Sequence, residues 1–146
     1  MSEKTASVHW EGTGKLGLGR VSTETGALKA YPYGFASRFA DDRTGTNPEE
    51  LLGAAHAACF AMAFSFACEK AGFETHAVDT QALVHLAVQG EDGFAIDRIA
   101  LRLQAKVPGI DAERFQQLAE LAKLNCPLSK ALAAVPNISL VATLRD

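Results

Sequence analysis

A chain of 146 residues with 48% hydrophobic residues and a net charge of −3 fits one globular domain, residues 1–146, able to bury roughly 70% of its unfolded surface. Lysines and arginines are scattered and not interleaved with the aromatics, which argues against nucleic-acid binding. Three cysteines are an odd number and no apolar stretch opens the chain, so neither a disulfide framework nor a secretory signal is expected, and the reducing cytoplasm is the expected location.

In chain order, Val8 to Trp10 and Lys15 to Thr23 read as strands joined by a turn at Glu11 to Gly14. A third strand is expected from Leu28, broken at Pro32 and Gly34 and continuing through Phe35 to Phe39, which makes a three-stranded meander. Gly12-Thr13-Gly14-Lys15-Leu16-Gly17 matches the dinucleotide fingerprint letter by letter, but that motif needs a helix after it. A glycine-interrupted strand follows here, so the glycines read as hairpin corners. Arg38, between Ser37 and Phe39, reads from its neighbours alone as a solvated strand residue.

The chain is organised around the helix that follows. Asn47 is a strong N-cap, Pro48 suits the first helical position, and Glu50 lies where a capping-box partner would. Gly72 suits the left-handed position that ends a helix, with Lys70 well placed against the dipole. From Leu51 to Cys68 there is no charge, so the helix, roughly 36 Å long at 1.5 Å per residue, belongs in a core or a bilayer. Its alanine-rich composition and the lack of a second span or basic flank argue against a membrane. Small residues (Gly53, Ala54, Ala55, Ala57, Ala58, Ala61, Ala63) permit close approach of a second helix, such as its own copy in another chain.

Val78, Thr80, Ala82, Val84, Leu86 and Val88 alternate with polar neighbours as a half-buried strand; Gly90 to Gly93 turns the chain; Ile99, Leu101, Leu103, Ala105 and Val107 repeat the period of two. Asp111 caps a helix whose apolar face is expected to be Phe115, Leu118, Leu121 and Ala122. Pro127 starts a short helix to about Ala134, and Ile138 to Leu144 forms the last strand. This order describes an α+β fold with antiparallel sheet.

The thiols carry the candidate chemistry. Cys59, mid-helix among apolar side chains, reads first as a small core residue, since burial raises a thiol's pKa unless a cation opposes it. Cys126 gains from the amides of a helix N-terminus, while Cys68 beside Glu69 reads as packing. His56 shares a helix face with Cys59, as a Cys–His nucleophile pair or two metal ligands would, but no other histidine has ligand spacing, so no metal is expected. A core histidine bonded to a carbonyl is the favoured reading.

Gly45-Thr46-Asn47-Pro48-Glu49-Glu50-Leu51-Leu52-Gly53-Ala54-Ala55-His56-Ala57-Ala58-Cys59-Phe60, together with His9-Trp10-Glu11-Gly12, Pro32-Tyr33-Gly34-Phe35, Val107-Pro108-Gly109-Ile110-Asp111 and Cys126-Pro127, resembles the OsmC/Ohr organic hydroperoxide resistance family along nearly the whole chain. The resemblance implies an OsmC-like fold, antiparallel sheets around a long buried central helix, in an intertwined homodimer with active sites at the subunit interface. It also implies thiol-dependent reduction of organic hydroperoxides, and of hydrogen peroxide as a second substrate, in oxidative and osmotic stress defence. Cys59 would be the peroxidatic and Cys126 the resolving cysteine, Arg38 would hold the thiolate and Glu49 would position Arg38. No cofactor is implied, and the reductant would be a dithiol of lipoyl type.

Two thiols suit that chemistry, because a sulfenic acid formed on one condenses with the other to a disulfide. Phe60, Met62 and Phe64 are expected to wall a site for an alkyl group. Glu49 lies ten positions before Cys59, about 15 Å along the helix, so Arg38 must bridge the gap or serve the Cys59 of a second chain. The alternatives are a non-enzymatic protein that binds an apolar ligand or senses redox state through its thiols, and a Cys–His hydrolase dependent on His56.

Overall fold

The computed structural model describes residues Met1–Asp146 and orders the chain as β1 (Ala6–Glu11), β2 (Leu18–Thr23), β3 (Tyr31–Tyr33), α1 (Phe35–Phe39), α2 (Pro48–Lys70), β4 (Ala77–Gln89), β5 (Gly93–Lys106), α3 (Ala112–Asn125), α4 (Pro127–Ala131) and β6 (Asn137–Arg145). The α+β class stands. The chain divides into two compact units, Met1–Leu51 and Leu52–Asp146.

In the first unit β1, β2 and β3 form an antiparallel sheet in that order, running from Ala6 opposite Thr23 to Glu11 opposite Leu18. Strand β2 begins later than expected, because Thr13 ties residues 13–17 into a turn: Gly17 N–H donates to Thr13 O at 2.8 Å and Leu16 N–H to Thr13 Oγ1 at 3.2 Å. Gly19 must be glycine, since a Cβ there would lie 2.1 Å from the Tyr33 ring.

Phe35 to Phe39, expected to continue the third strand, is instead the one-turn helix α1. Phe35 and Phe39 stand four residues apart, the helical neighbour spacing, and their rings meet at 4.9 Å. Ser37 locks the turn: its Oγ accepts the Gly34 N–H at 2.9 Å and donates to Thr46 O at 2.8 Å, and its own carbonyl accepts Asn47 Nδ2 at 3.0 Å.

Helix α2 starts as expected, with Asn47 Oδ1 accepting the Glu50 N–H at 2.7 Å. The reciprocal half of the capping box is absent, because the Glu50 carboxylate accepts Thr46 Oγ1 at 2.7 Å instead. The helix ends in a Schellman arrangement, with Phe73 N–H on Cys68 O, Gly72 N–H on Glu69 O, and Gly72 at φ +89°.

In the second unit the sheet order is β4-β5-β6. Strands β4 and β5 pair antiparallel with a bulge between His85 and Leu86. Strand β6 corrects the all-antiparallel expectation: it runs parallel to β5, from Asn137 beside Arg98 to Arg145 beside Lys106. The physical reason is the connection, since α3 and α4 intervene and carry the chain back to the start of β5, as a parallel crossover requires.

One sheet face, including Ile99, Leu101, Leu103 and Ala105, packs in a core with Phe60, Phe64 and Cys68 of α2 and Phe115, Leu118, Ala119 and Ala122 of α3. Gly53 brings α2 close to β4, where a Cβ would meet Ala82 O at 3.3 Å, and Thr80 Oγ1 donates to Ala57 O at 3.0 Å. Leu121, expected in the α3 core stripe, is 48% exposed and Ala119 takes its place. Six residues from Phe115 is 240° around a helix, off the face set by positions 115, 118, 119 and 122.

Although α2 is uncharged through its middle, only the Gly53, His56, Phe60, Phe64 and Cys68 stripe is buried, and Met62 and Phe66 are 63% and 61% exposed. The helix is long and apolar enough to cross a bilayer by length and composition. Its buried stripe makes it a core helix of the second unit.

Phe64 has no exposed surface and meets Phe115 edge-on at 5.5 Å. Phe64→Ala is expected to cost about 3–5 kcal/mol through lost burial and a residual cavity. Urea unfolding with an unchanged slope but a lowered midpoint is the expected readout; a loss under about 1 kcal/mol would place the main core elsewhere.

Candidate active site

Pro127 brings the two chemical cysteines together. It has no N–H to continue α3, so α3 ends at Cys126, whose own N–H still reaches Ala122 O at 2.9 Å, and α4 starts at once with Lys130 N–H on Cys126 O at 3.1 Å. Cys126 is thus the C-cap of one helix and the N-cap of the next, and its Sγ lies 3.0 Å from Cys59 Sγ. Both are free thiols. A disulfide bond is about 2.03–2.05 Å long, so roughly one ångström of closure separates the pair from a covalent link.

The two sulfurs differ in access. Cys59 is half-buried, while Cys126 has no exposed surface. Burial pushes the Cys59 thiol up and the hydrogen bond with Cys126 adds to that, while the Leu128 backbone N–H, donating to Cys59, acts in the opposite direction by favouring its charged form. Cys68 has no exposed surface and is pushed up to about 11 by burial alone, in keeping with a packing role.

His56 is fully buried and its Nε2 meets Ser129 Oγ at 2.8 Å, so its partner is a hydroxyl and not the expected carbonyl. Its Nδ1 is buried with no hydrogen-bond partner. Neither ring nitrogen therefore engages Cys59, which removes the geometric basis for a Cys–His hydrolase. Burial lowers the pKa of His56, leaving a neutral imidazole. The tautomer that leaves an acceptor bare, and not an N–H, puts the proton on Nε2, donating to Ser129. A bare buried polar atom costs about 1–3 kcal/mol, so His56 is a poor choice for packing alone.

The expected alkyl wall is not formed by Phe60 and Phe64. Both have no exposed surface, because they lie on the stripe of α2 that faces the sheet. No group of three or more His, Cys, Asp or Glu side chains converges as a metal site would need.

In the first unit, Arg38 of α1 and Glu49 in the first turn of α2 form a fork. Arg38 Nη2 donates to Glu49 Oε1 at 2.8 Å, and Nε donates to Oε1 at 3.2 Å and to Oε2 at 3.3 Å. The Glu49 side chain is 11% exposed and that of Arg38 37%. Arg38 also lies over the Phe39 ring at 5.2 Å. The helical turn of α1 makes this possible, since it presents Arg38 toward the start of α2 as a solvated strand residue would not be. Ser129 and the Leu128 amide were not legible beforehand; the one available signal was that Cys126 and Ser129 share the three-residue spacing of His56 and Cys59.

Residues 40–141 match the family of OsmC-like proteins. The chain is 51% identical over 131 residues to Peroxiredoxin OsmC of Escherichia coli (strain K12), with 90% of each chain covered. It is 28% identical over 100 residues to the organic hydroperoxide resistance protein OhrB of Bacillus subtilis (strain 168), covering 68% of this chain and 71% of that one. The crystal structure of OhrB of Bacillus subtilis matches with a TM-score of 0.68 at 29% identity, over 97% of this chain and 98% of that chain. That of an organic hydroperoxide resistance protein OsmC from Legionella pneumophila shares the fold with a TM-score of 0.72 at 24% identity, over 100% and 98%. On the extent of the family match and the identity to the Escherichia coli relative, the chain belongs to the family of OsmC-like proteins.

Proposed function

We propose that the chain is a cysteine-based peroxidase that reduces organic hydroperoxides, and hydrogen peroxide as a second substrate, in oxidative and osmotic stress defence. The observation that carries this reading is the 3.0 Å approach of a half-buried thiol, Cys59, to a fully buried one, Cys126. The accessible sulfur is the peroxidatic one. The Cys59 thiolate attacks the distal peroxide oxygen, the O–O bond breaks, and the alkoxide takes up a proton to leave as alcohol, with sulfenic acid on Cys59. Cys126 then attacks the Cys59 sulfur, an S–S bond forms and the oxygen leaves as water. A dithiol of lipoyl type returns two electrons and two protons, so no metal or cofactor enters the cycle.

Arg38 is the thiolate-holding cation in this reading and Glu49 its positioning residue, acting within one chain or across a dimer. Their fork supports the second role, since it leaves only part of the guanidinium committed. The exposed apolar side of α2, with Met62 and Phe66, supports a homodimer built on that helix. Residues 1–146 act as one OsmC-like domain, in the cytoplasm, where dithiols are kept reduced.

Reduced protein given excess cumene hydroperoxide and dithiothreitol is expected to consume many equivalents of peroxide per chain. Loss of a single pair of thiols without repeated turnover would instead identify a redox sensor or an apolar-ligand-binding protein, and would sink the enzymatic reading.

A further inference from the structure

We propose that the buried His56–Ser129 hydrogen bond is a positioning element for disulfide formation, holding α4 against α2 so that Cys126 stays in reach of Cys59. The proposal rests on the peroxidase reading for its biological meaning, but the geometry stands apart from it. His56 and Cys59 are three residues apart on α2, and Cys126 and Ser129 are three residues apart across the start of α4. The contacts pair 56 with 129 and 59 with 126, at 2.8 and 3.0 Å. Two rungs therefore join the segments in opposite directions, and only the second is redox-active.

Ser129 is the one buried residue of α4, a helix of five residues. Its bond to His56 is the polar fixture that keeps this short helix in place, and the Leu128 amide that donates to Cys59 lies between the two rungs. The rung joins a neutral imidazole and a hydroxyl, so a change of charge on the nearby sulfurs leaves both partners intact. The bare Nδ1 shows that the ring is oriented for Ser129 and satisfies nothing else. Closing the sulfurs to the bond length of about 2.03–2.05 Å needs a small, directed approach, and a loosened α4 would spread Cys126 over a larger volume and lower its effective concentration.

The test equilibrates the whole protein with oxidised and reduced dithiothreitol, in which protein dithiol plus oxidised dithiothreitol gives protein disulfide plus reduced dithiothreitol. Ser129→Ala is expected to disfavour the protein disulfide at least tenfold, a shift of about 30 mV toward a less negative potential, and Ser129→Thr, which keeps the hydroxyl, to restore it within about twofold. In single turnover with cumene hydroperoxide, Ser129→Ala is expected to slow condensation of the sulfenic acid at least tenfold more than its formation. Should Ser129→Ala be too unstable to fold, His56→Leu is expected to show the same loss and His56→Gln, whose amide nitrogen reaches Ser129, to recover it. A bond that merely stabilises the fold would lower the unfolding midpoint and leave the potential alone, and a folded Ser129→Ala or His56→Leu with wild-type potential overturns the proposal. Failure of the wild type to react with cumene hydroperoxide would sink the peroxidase reading while the dithiothreitol equilibrium still decides this one.

Discussion

Cys59→Ser is expected to bring hydroperoxide turnover down on the order of a thousandfold or more, to the background of buffer and dithiothreitol, whereas Cys126→Ser is expected to keep the first oxidation and lose the second. A serine oxygen can neither ionise usefully near neutral pH nor accept an oxygen atom, so no other group in the variant substitutes for the nucleophile. In the proposed cycle Cys126 enters only after the O–O bond has broken. In its absence the sulfenic acid on Cys59 persists until an external thiol attacks it, and dithiothreitol sustains a slower cycle.

The chain's third thiol is an internal control. Cys68 is fully buried and raised to about 11, so at pH 7 its thiolate fraction is about one in ten thousand. One equivalent of cumene hydroperoxide should therefore remove two thiols from the wild type and leave one. In Cys126→Ser a sulfenic-acid-selective dione should label Cys59, and intact-mass and peptide analysis should place it there. A Cys126→Ser variant that fails to lose its first thiol, or a wild-type disulfide that includes Cys68, would contradict the assignment of roles.

The elements that proved legible carried strong local chemistry. Asn47-Pro48 and Gly72 fixed the ends of α2, and the period of two in β5 fixed its inner face, because caps and alternation act within a few residues. The elements that misled depend on distant partners. Phe35 to Phe39 is wound into a helix by Ser37, whose bonds reach Thr46 and Asn47, and the parallel placement of β6 follows from the crossover before it. The uncharged middle of α2 signalled burial but not that a single chain covers one side of it. The same division applies to the site. The pairing of Cys59 with Cys126 came from family resemblance, since 67 positions separate them, and Ser129 was marked by no resemblance and only by its three-residue spacing from Cys126.

Arg38→Met is expected to reduce the rate of Cys59 oxidation about 10–100-fold at pH 7 and to move the pH–rate profile at least one unit toward alkali. Burial and the bond to Cys126 hold the Cys59 thiol above its ordinary range, so the reactive thiolate gains population as pH rises. In the proposed site the Arg38 guanidinium, from the same chain or a partner, would favour the charged form and offset burial, so that removing it would raise the thiol further. Each unit of upward shift lowers the thiolate fraction tenfold at a pH below both values and leaves it unchanged above both. The gap between Arg38→Met and wild type should therefore be wide at pH 7 and close only at alkaline pH above both thiol values. Were Arg38 to act only by gripping the peroxide, the loss would be the same at every pH. Glu49→Gln should lie between the two proteins, because it removes the carboxylate that fixes Nε and Nη2 but leaves the cation free to find the sulfur. Superimposable profiles for Arg38→Met and wild type, read from the thiolate absorbance near 240 nm and from single-turnover oxidation, would take Arg38 out of the active site and leave Cys59 to be activated by the Leu128 amide alone.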